Sequence, residues 1–193
     1  MSLLPAGYRL EPVDRFPDDL FETWAQTLLF DQATHIPLRE WEQEALEAQG
    51  LALPYPMPDR LRLGIFHGDA WAGFTVGWRQ RTHAFYMGMS GVMADHRRKG
   101  LYRALVLATL EHAKARGYAE VWSRHLPTNT AVLVAKLNMG FIPTGMEVDA
   151  EMGTLLTLRH PLTPERNAAL RTRLGCQRAT ERLWEHLGPK THP

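Results

Sequence analysis

The sequence predicts an α+β fold, with one domain over residues 1–162 and a helical extension over residues 163–193. Two observations carry this prediction. Strand-like runs alternate with runs of helical periodicity as far as about residue 160, and glycine or proline marks most of their boundaries. From Thr163 onward only helical patterns remain, and no repeat, low-complexity tract or interdomain linker divides the chain.

The first half of the domain is predicted as one strand, two helices and three further strands. Acidic residues in the first turn open the first helix, near Phe16, and apolar residues then recur on one of its faces. The second helix follows Pro37 and ends at Gly50. Gly68 and Asp69 predict a hairpin turn. The predicted strands are 8–13, 60–67, 70–78 and 83–92.

The second half is predicted to begin with a helix over 101–116, whose first half is mostly apolar, as in a helix that lies on a sheet. Asn129 is a good N-cap for the next helix. The extension is predicted as two short amphipathic helices broken at Gly175, with Leu170, Leu174, Leu183, Trp184 and Leu187 as apolar anchors. The remaining predicted elements are strands 119–125, 141–148 and 153–160 and helix 130–139.

The composition narrows the class of function. The 193 residues carry 22 Lys and Arg against 21 Asp and Glu, a net charge of +1, which argues against a dedicated nucleic-acid or membrane-surface binder. We expect no metal site, because the nine histidines are scattered without metal-ligand spacing. A single cysteine, Cys176, excludes an intramolecular disulfide; with no signal-peptide pattern at the start, a reducing, cytoplasmic location is expected.

A basic run precedes the helix 101–116. Residues 96–102 read HRRKGLY, with Arg97, Arg98 and Lys99 directly before Gly100. Glycine permits close approach of a ligand to the backbone, and a helix N-terminus offers unpaired N–H groups that attract anions. The run therefore predicts a phosphate site, and a solvated basic turn is the alternative.

Two segments resemble the motifs of the GCN5-related N-acetyltransferase (GNAT) family. GVMADHRRKGLYRAL, residues 91–105, resembles its coenzyme A motif, and NTAVLVAKLNMGF, residues 129–141, resembles its downstream helix motif. With the order of elements, the resemblance covers roughly residues 8–160. It implies a mixed, mostly antiparallel central sheet flanked by helices, acetyl-CoA as acyl donor, and a small amine as acceptor.

The resemblance implies a set of coenzyme-binding residues. Backbone N–H groups from Arg98 to Arg103 would wrap the pyrophosphate, and the end of the preceding strand would hold the thioester. Tyr102 stands where the family has a small residue, so its side chain must point away from the ligand. The implied coenzyme-binding residues are Gly91, Val92, Arg97, Arg98, Lys99, Gly100, Leu101, Tyr102, Arg103 and Asn129.

The candidate catalytic residues include one departure from the family's pattern. Lys136 lies seven residues after Asn129 and four before Gly140, where many family members have a tyrosine that protonates the leaving thiolate. Lys136 is therefore the candidate for that role, with a solvated helix lysine as the alternative. His125 shares a strand face with Ser123 and is the candidate base, with a structural histidine as the alternative.

Further candidates lie around the predicted acceptor side. Ser90 is predicted to share a strand face with Tyr86 and to contact substrate or relay a proton. The acceptor pocket would involve residues near the first two helices and the loop after them, namely Asp31, His35, Trp41 and Tyr55.

Three functions remain open at this point. The leading one is an acetyl-CoA-dependent N-acetyltransferase acting on an amine of a small molecule or peptide. The second is a non-catalytic acyl-CoA-binding regulatory module, which would need the phosphate site but no acid. The third is an acyltransferase that uses a longer acyl chain. The helical extension is predicted to pack on the domain or across a homodimer.

Overall fold

The structure, a computed structural model, describes residues 4–17, 45–46, 48–50 and 58–176. The predicted first helix, most of the second and the last helix of the extension lie outside the described residues. So do the acceptor-pocket candidates Asp31, His35, Trp41 and Tyr55.

The described elements follow the predicted order, with boundaries that differ by no more than three residues. The mixed, mostly antiparallel sheet and the first extension helix are confirmed. The strands are β1 (Tyr8–Pro12), β2 (Leu61–His67), β3 (Ala70–Arg81), β4 (Ala84–Val92), β5 (Glu120–His125), β6 (Ile142–Asp149) and β7 (Gly153–Pro161). The helices are α1 (Leu101–Ala115), α2 (Thr130–Asn138) and α3 (Pro164–Arg173), and a 3₁₀ turn (Ala94–His96) precedes α1.

The seven strands form one sheet in the order β1-β2-β3-β4-β5-β7-β6. All neighbours pair antiparallel except β4 and β5, which are parallel. Their ladder covers only three residues of each strand, from Ala84 opposite Glu120 to Tyr86 opposite Trp122. Beyond these residues no ladder joins the described parts of β4 and β5, so the sheet opens between the ends of the two strands.

The main core lies between α1 and one face of the sheet. Leu101, Leu105 and Val106 of α1 are buried with Ile65, Phe85 and Val121 from three strands. Complete burial of one large apolar side chain is worth about 1.5–3 kcal/mol, so this contact fixes the start of α1 against the sheet. The loop that precedes α1 is thereby held at the end of β4.

A bulge at Gly88 reverses the alternation of β4. Val76 pairs with Met89 and Gly77 with Met87, so Gly88 is the extra residue. A side chain at Gly88 would come within 2.4 Å of the Trp78 ring. Before the bulge, Tyr86 packs with Trp78 and Trp122. After the bulge, the alternation places Ser90 and Val92 on the opposite face, and Val92 packs in the core beneath α1.

The predicted common face of Ser90 and Tyr86 is therefore wrong. Strict alternation was assumed between residues 86 and 90, and the extra residue at Gly88 breaks it.

An ion pair between Arg166 and Glu120 attaches the first helix of the extension to the sheet. The Thr163 side chain caps α3, and Pro164 stands at its first position, as predicted. The Glu120 carboxylate of β5 is only 2% exposed. It accepts hydrogen bonds from Arg159 of β7 and, at 2.8 Å, from Arg166 of α3. Of the predicted anchors, Leu170 is half-buried and Leu174 is exposed, and the other three lie outside the described residues.

None of the helices in the described ranges combines the length and the apolar character that a membrane span requires.

Candidate active site

Lys136 lies at the point where β4 and β5 separate. Its side chain is 0% exposed. The Nζ atom is 2.7 Å from Ser123 Oγ on β5 and 3.6 Å from Met87 Sδ on β4, and it lies 4.6 Å from the centroid of the Phe141 ring. Because Tyr86 opposite Trp122 is the last parallel pair, residues 87 and 123 are the first positions beyond the ladder. The ammonium group therefore lies between β4 and β5 at the point where their pairing ends.

The environment of Lys136 disfavours its charged form. Among the described residues no carboxylate forms an ion pair with it. Burial lowers the pKa of Lys136 to about 7, because an ammonium loses its hydration when it leaves water. The alternative of a solvated surface lysine is wrong, and the group can exchange a proton near neutral pH.

Ser123 joins Lys136 to His125. His125 Nε2 lies 2.9 Å from Ser123 Oγ, and Ser123 itself is 0% exposed. Burial, and then the charge of Lys136, lower the pKa of His125 to about 3, so this imidazole is neutral near pH 7. The alternation of β5 had placed Ser123 and His125 on one face, but nothing in the sequence indicated that Lys136 reaches the same hydroxyl.

The loop before α1 has the backbone conformation of an anion site. Arg98 and Gly100 both adopt left-handed backbone conformations, with φ of 60° and 79°. Within the described chain, the N–H groups of residues 98–103 donate to no backbone carbonyl. Alternating right- and left-handed residues and a helix N-terminus both direct N–H groups toward a common anion. These are the backbone groups that the motif predicts for pyrophosphate.

The three cations of the basic run have different surroundings. Arg97 donates from Nε to the carbonyl of Val92 at 3.1 Å, which ties the loop to the end of β4. Lys99 donates from Nζ to the Tyr8 hydroxyl at 3.2 Å and to the carbonyl of Asp95 at 3.1 Å. The Arg98 and Arg103 side chains are exposed and have no polar partner among the described residues. Among the described residues, Arg98 is therefore the cation of the run whose side chain has no polar partner.

Tyr102 and Ser90 meet between α1 and the end of β4. The Tyr102 ring packs against the main core, as its predicted orientation away from the ligand requires. Its buried hydroxyl lacks a hydrogen bond of regular geometry within the described residues but faces the Ser90 side chain. Burial raises the pKa of Tyr102, and the interaction with Ser90 opposes that rise.

The other implied coenzyme-binding residues lie at the end of β4, at the start of α1 and at the N-cap position of α2. Gly91 and Val92 are buried at the end of β4, where they pair with β3. Asn129 holds the N-cap position of α2, but its side chain makes no capping hydrogen bond. Since Asn129 is also exposed, its amide is available to a ligand. Leu101 is buried in the core beneath α1 and contributes its backbone alone to the loop.

The opposite face of the sheet carries an aromatic cluster. Tyr86 lies between Trp78, at a centroid distance of 5.0 Å, and Trp122, at 4.6 Å. Arg124 donates from Nε to the Tyr86 hydroxyl at 3.3 Å and pairs with Glu147 at 2.9 Å. Tyr86 is therefore a packed residue with its hydroxyl engaged. No cluster of metal-ligating side chains occurs in the described ranges.

Solved structures share this architecture. Ard1 from Thermoplasma volcanium matches with a TM-score of 0.60 and 15% identity, over 82% of this chain and 99% of that chain. An acetyltransferase from Bacillus subtilis in complex with CoA matches with a TM-score of 0.59 and 18% identity, over 81% and 99%. The acetyltransferase yncA from Salmonella typhimurium, solved with acetyl-CoA, matches with a TM-score of 0.56 and 17% identity, over 82% and 95%.

At these sequence identities the likeness to solved structures establishes the fold alone. The search of curated proteins found no match. The sequence itself matches the model of the Acetyltransferase (GNAT) family over residues 18–141, well over half of the chain. This match spans the loop before α1, the opening between β4 and β5, and Lys136. The chain belongs to the GNAT acetyltransferase family.

Proposed function

We propose that this protein transfers an acetyl group from acetyl-CoA to an amine nitrogen of a small molecule or peptide. The observation that carries the proposal is the buried Lys136 ammonium at the base of the opening between β4 and β5. Family membership and the titles of the Bacillus subtilis and Salmonella typhimurium structures, which name CoA and acetyl-CoA, support the choice of acyl donor.

The donor is bound, in this proposal, by the loop before α1 and by the opening in the sheet. The N–H groups of residues 98–103 and the Arg98 guanidinium hold the pyrophosphate. The exposed amide of Asn129 binds the adjoining part of the coenzyme. The thioester lies beside the ends of β4 and β5, so that its sulfur faces Lys136. Gly91, Val92 and Ser90 line this position on β4.

The chemical step is a direct transfer. The neutral amine attacks the thioester carbonyl carbon, a C–N bond forms, and the C–S bond breaks. The sulfur leaves as a thiolate, which the Lys136 ammonium stabilises and protonates, while the proton lost by the amine goes to solvent. A preformed cation in a buried site stabilises developing negative charge more than it would in solution.

The non-catalytic alternative receives no support from this arrangement. A module that only binds acyl-CoA needs the loop before α1 but has no use for a buried ammonium. Burial of a cation without a carboxylate partner destabilises the fold. Lys136 is more easily explained by a task in the reaction than by binding alone.

The experiment that tests the proposal measures free thiol released from acetyl-CoA over a panel of amines. Thermal-shift measurements with CoA, acetyl-CoA and longer acyl-CoAs establish which donors bind. We expect acetyl-CoA to bind and at least one amine to accelerate thiol release, with the acetylated amine found by mass spectrometry. Donor binding without acetylation of any amine would instead favour the regulatory module. A preference for longer chains in both assays would replace acetyl by a longer acyl group.

A further inference from the structure

The hydroxyl oxygen of Ser123 lies within hydrogen-bond distance of both titratable side chains of the site. Lys136 Nζ is 2.7 Å from Ser123 Oγ, and His125 Nε2 is 2.9 Å from the same atom. An ammonium can only donate, whereas a hydroxyl accepts twice and donates once. Ser123 therefore accepts from Lys136, and it either donates to His125 Nε2 or accepts from that nitrogen, according to the tautomer of the imidazole. The three side chains form one continuous chain of hydrogen bonds.

No other described group offers Lys136 a path for a proton. Its neighbour on β4 is the Met87 thioether, and the Phe141 ring covers another side. His160 of β7 contacts Phe141, at a centroid distance of 5.1 Å, and His125 is the titratable group whose charge interacts with Lys136. Lys136 is 0% exposed, so among the described groups its ammonium can exchange a proton through Ser123 or with a molecule in the opening between β4 and β5.

We infer that Ser123 is a positioning residue that passes a proton from His125 to Lys136 and so restores the Lys136 ammonium after each transfer. The inference rests on the role proposed above for Lys136. The bound coenzyme would block the ligand opening, so the path through Ser123 is the one that stays available while product is in the site. His125 is half-buried and forms the outer end of the path.

The proton balance is closed. When the C–S bond breaks, Lys136 gives one proton to the sulfur and becomes a neutral amine. The Ser123 hydroxyl then gives its proton to Lys136 and takes the proton on His125 Nε2, while His125 Nδ1 takes up a proton from solvent. The imidazole stays neutral and regains its starting tautomer by proton exchange with solvent. The proton released by the acceptor amine enters solvent, so the cycle neither gains nor loses a proton. Since two positive charges in this buried site repel each other, the chain carries one charge at a time.

The first test measures proton sharing in the free protein and needs no activity. We would titrate protein labelled with ¹⁵N and ¹³C at lysine and histidine and follow the side chains of Lys136 and His125 by NMR. In the wild type, the His125 resonances should respond at the midpoint at which Lys136 titrates. In Ser123→Ala this common midpoint should be lost. Thr109→Val is the matched control, because it also removes a buried hydroxyl, one that bonds only the carbonyl of Leu105.

The second test measures turnover against pH. Ser123→Ala should lower kcat about tenfold, less than the ~10²–10⁴-fold typical of losing the acid itself. Without the hydroxyl acceptor the ammonium is less stabilised, so the basic limb of the kcat profile should move to lower pH. The KM for acetyl-CoA should not change, and Thr109→Val should keep the wild-type profile.

Two results would overturn the inference. The first is that Lys136 and His125 titrate in Ser123→Ala as they do in the wild type. The second is that Ser123→Ala separates the two titrations but leaves the pH profile of kcat unchanged. If Ser123→Ala does not fold, His125→Gln breaks the chain at its outer end and should shift the same limb. If the wild type acetylates no amine, the proposed function fails by itself, and the NMR titration still decides whether Ser123 couples the two groups.

Discussion

The Lys136 ammonium lies 2.7 Å from the Ser123 hydroxyl at the point where β4 and β5 separate. A titratable cation therefore lies between β4 and β5, which form the only parallel pair of strands in the described chain. The same contact explains why a lysine is tolerated inside the protein, since the serine offers its ammonium an acceptor there. The chemistry and the stability of the protein are therefore both linked to this side chain.

The first prediction concerns stability. Lys136→Met should stabilise the protein by on the order of a few kcal/mol at pH 7, because it removes a buried cation that has no carboxylate partner among the described residues. The folded-state pKa of about 7 lies below the ordinary lysine value, so between these values the unfolded state binds more protons. Wild-type stability should therefore rise with pH from about 7 to about 10.5, and the gain from Lys136→Met should shrink over that range.

Chemical denaturation at pH 7 and at pH 10 measures this gain. Lys114→Met is the control, because Lys114 lies in the last turn of α1 on the exposed surface. Its effect should be small at both pH values. Destabilisation by Lys136→Met at pH 7 would mean that a partner compensates the charge.

The second prediction concerns the loop before α1. Gly100→Glu places a negative side chain on the N–H groups of residues 98–103, and acetyl-CoA binding should weaken by more than tenfold, about 1.4 kcal/mol. Because Gly100 has a φ of 79°, any side chain there also adds strain. Gly100→Ala separates the two effects, since its Cβ would meet no atom within 4 Å.

Isothermal titration calorimetry of both variants with acetyl-CoA tests this prediction. Gly100→Ala should retain most of the affinity and Gly100→Glu should not. Equal affinities of the wild type and a folded Gly100→Glu variant would show that the loop does not hold the diphosphate.

The third prediction concerns the extension, which we propose packs on the domain or on a second copy. Deletion from Thr163 onward removes Arg166 and leaves the buried Glu120 carboxylate with Arg159 alone. A buried charge that loses a partner is destabilising, so the melting temperature should fall or an oligomer should dissociate. Calorimetry and light scattering measure the two outcomes. If neither the melting temperature nor the oligomeric state changes, the extension does not pack stably on the domain or on a second copy.

The central sheet was predictable because each strand has its own local signal. Gly68 marked the β2–β3 turn, where it adopts a positive φ. Such conformations favour glycine in any fold, so sequence alone locates them. The loop before α1 was predictable for the same reason, since its glycine precedes a clear helical run.

The contacts around Lys136 were not predictable in the same way. They depend on where β4 and β5 stop pairing, and on a contact between residues thirteen positions apart on different elements. The bulge at Gly88 was also missed, because Gly88 is required by the Trp78 ring of the neighbouring strand rather than by its own local sequence. Tertiary contacts of this kind produce no periodic pattern in the sequence.

The central claim is that Lys136 acts on the leaving thiolate. Lys136→Ala should lower kcat by ~10²–10⁴-fold with little change in the affinity for acetyl-CoA, because the negative charge that Lys136 meets exists mainly in the transition state. Lys136→Tyr should retain part of the rate if the role is proton donation and little if it is a fixed positive charge.

The most direct measurement is therefore kcat, together with the Kd for acetyl-CoA, in the wild type and in Lys136→Ala at pH 7. We expect a kcat lower by at least ~10²-fold and a Kd that does not change. Equal kcat values for the two proteins would contradict this expectation and would assign protonation of the thiolate to another group.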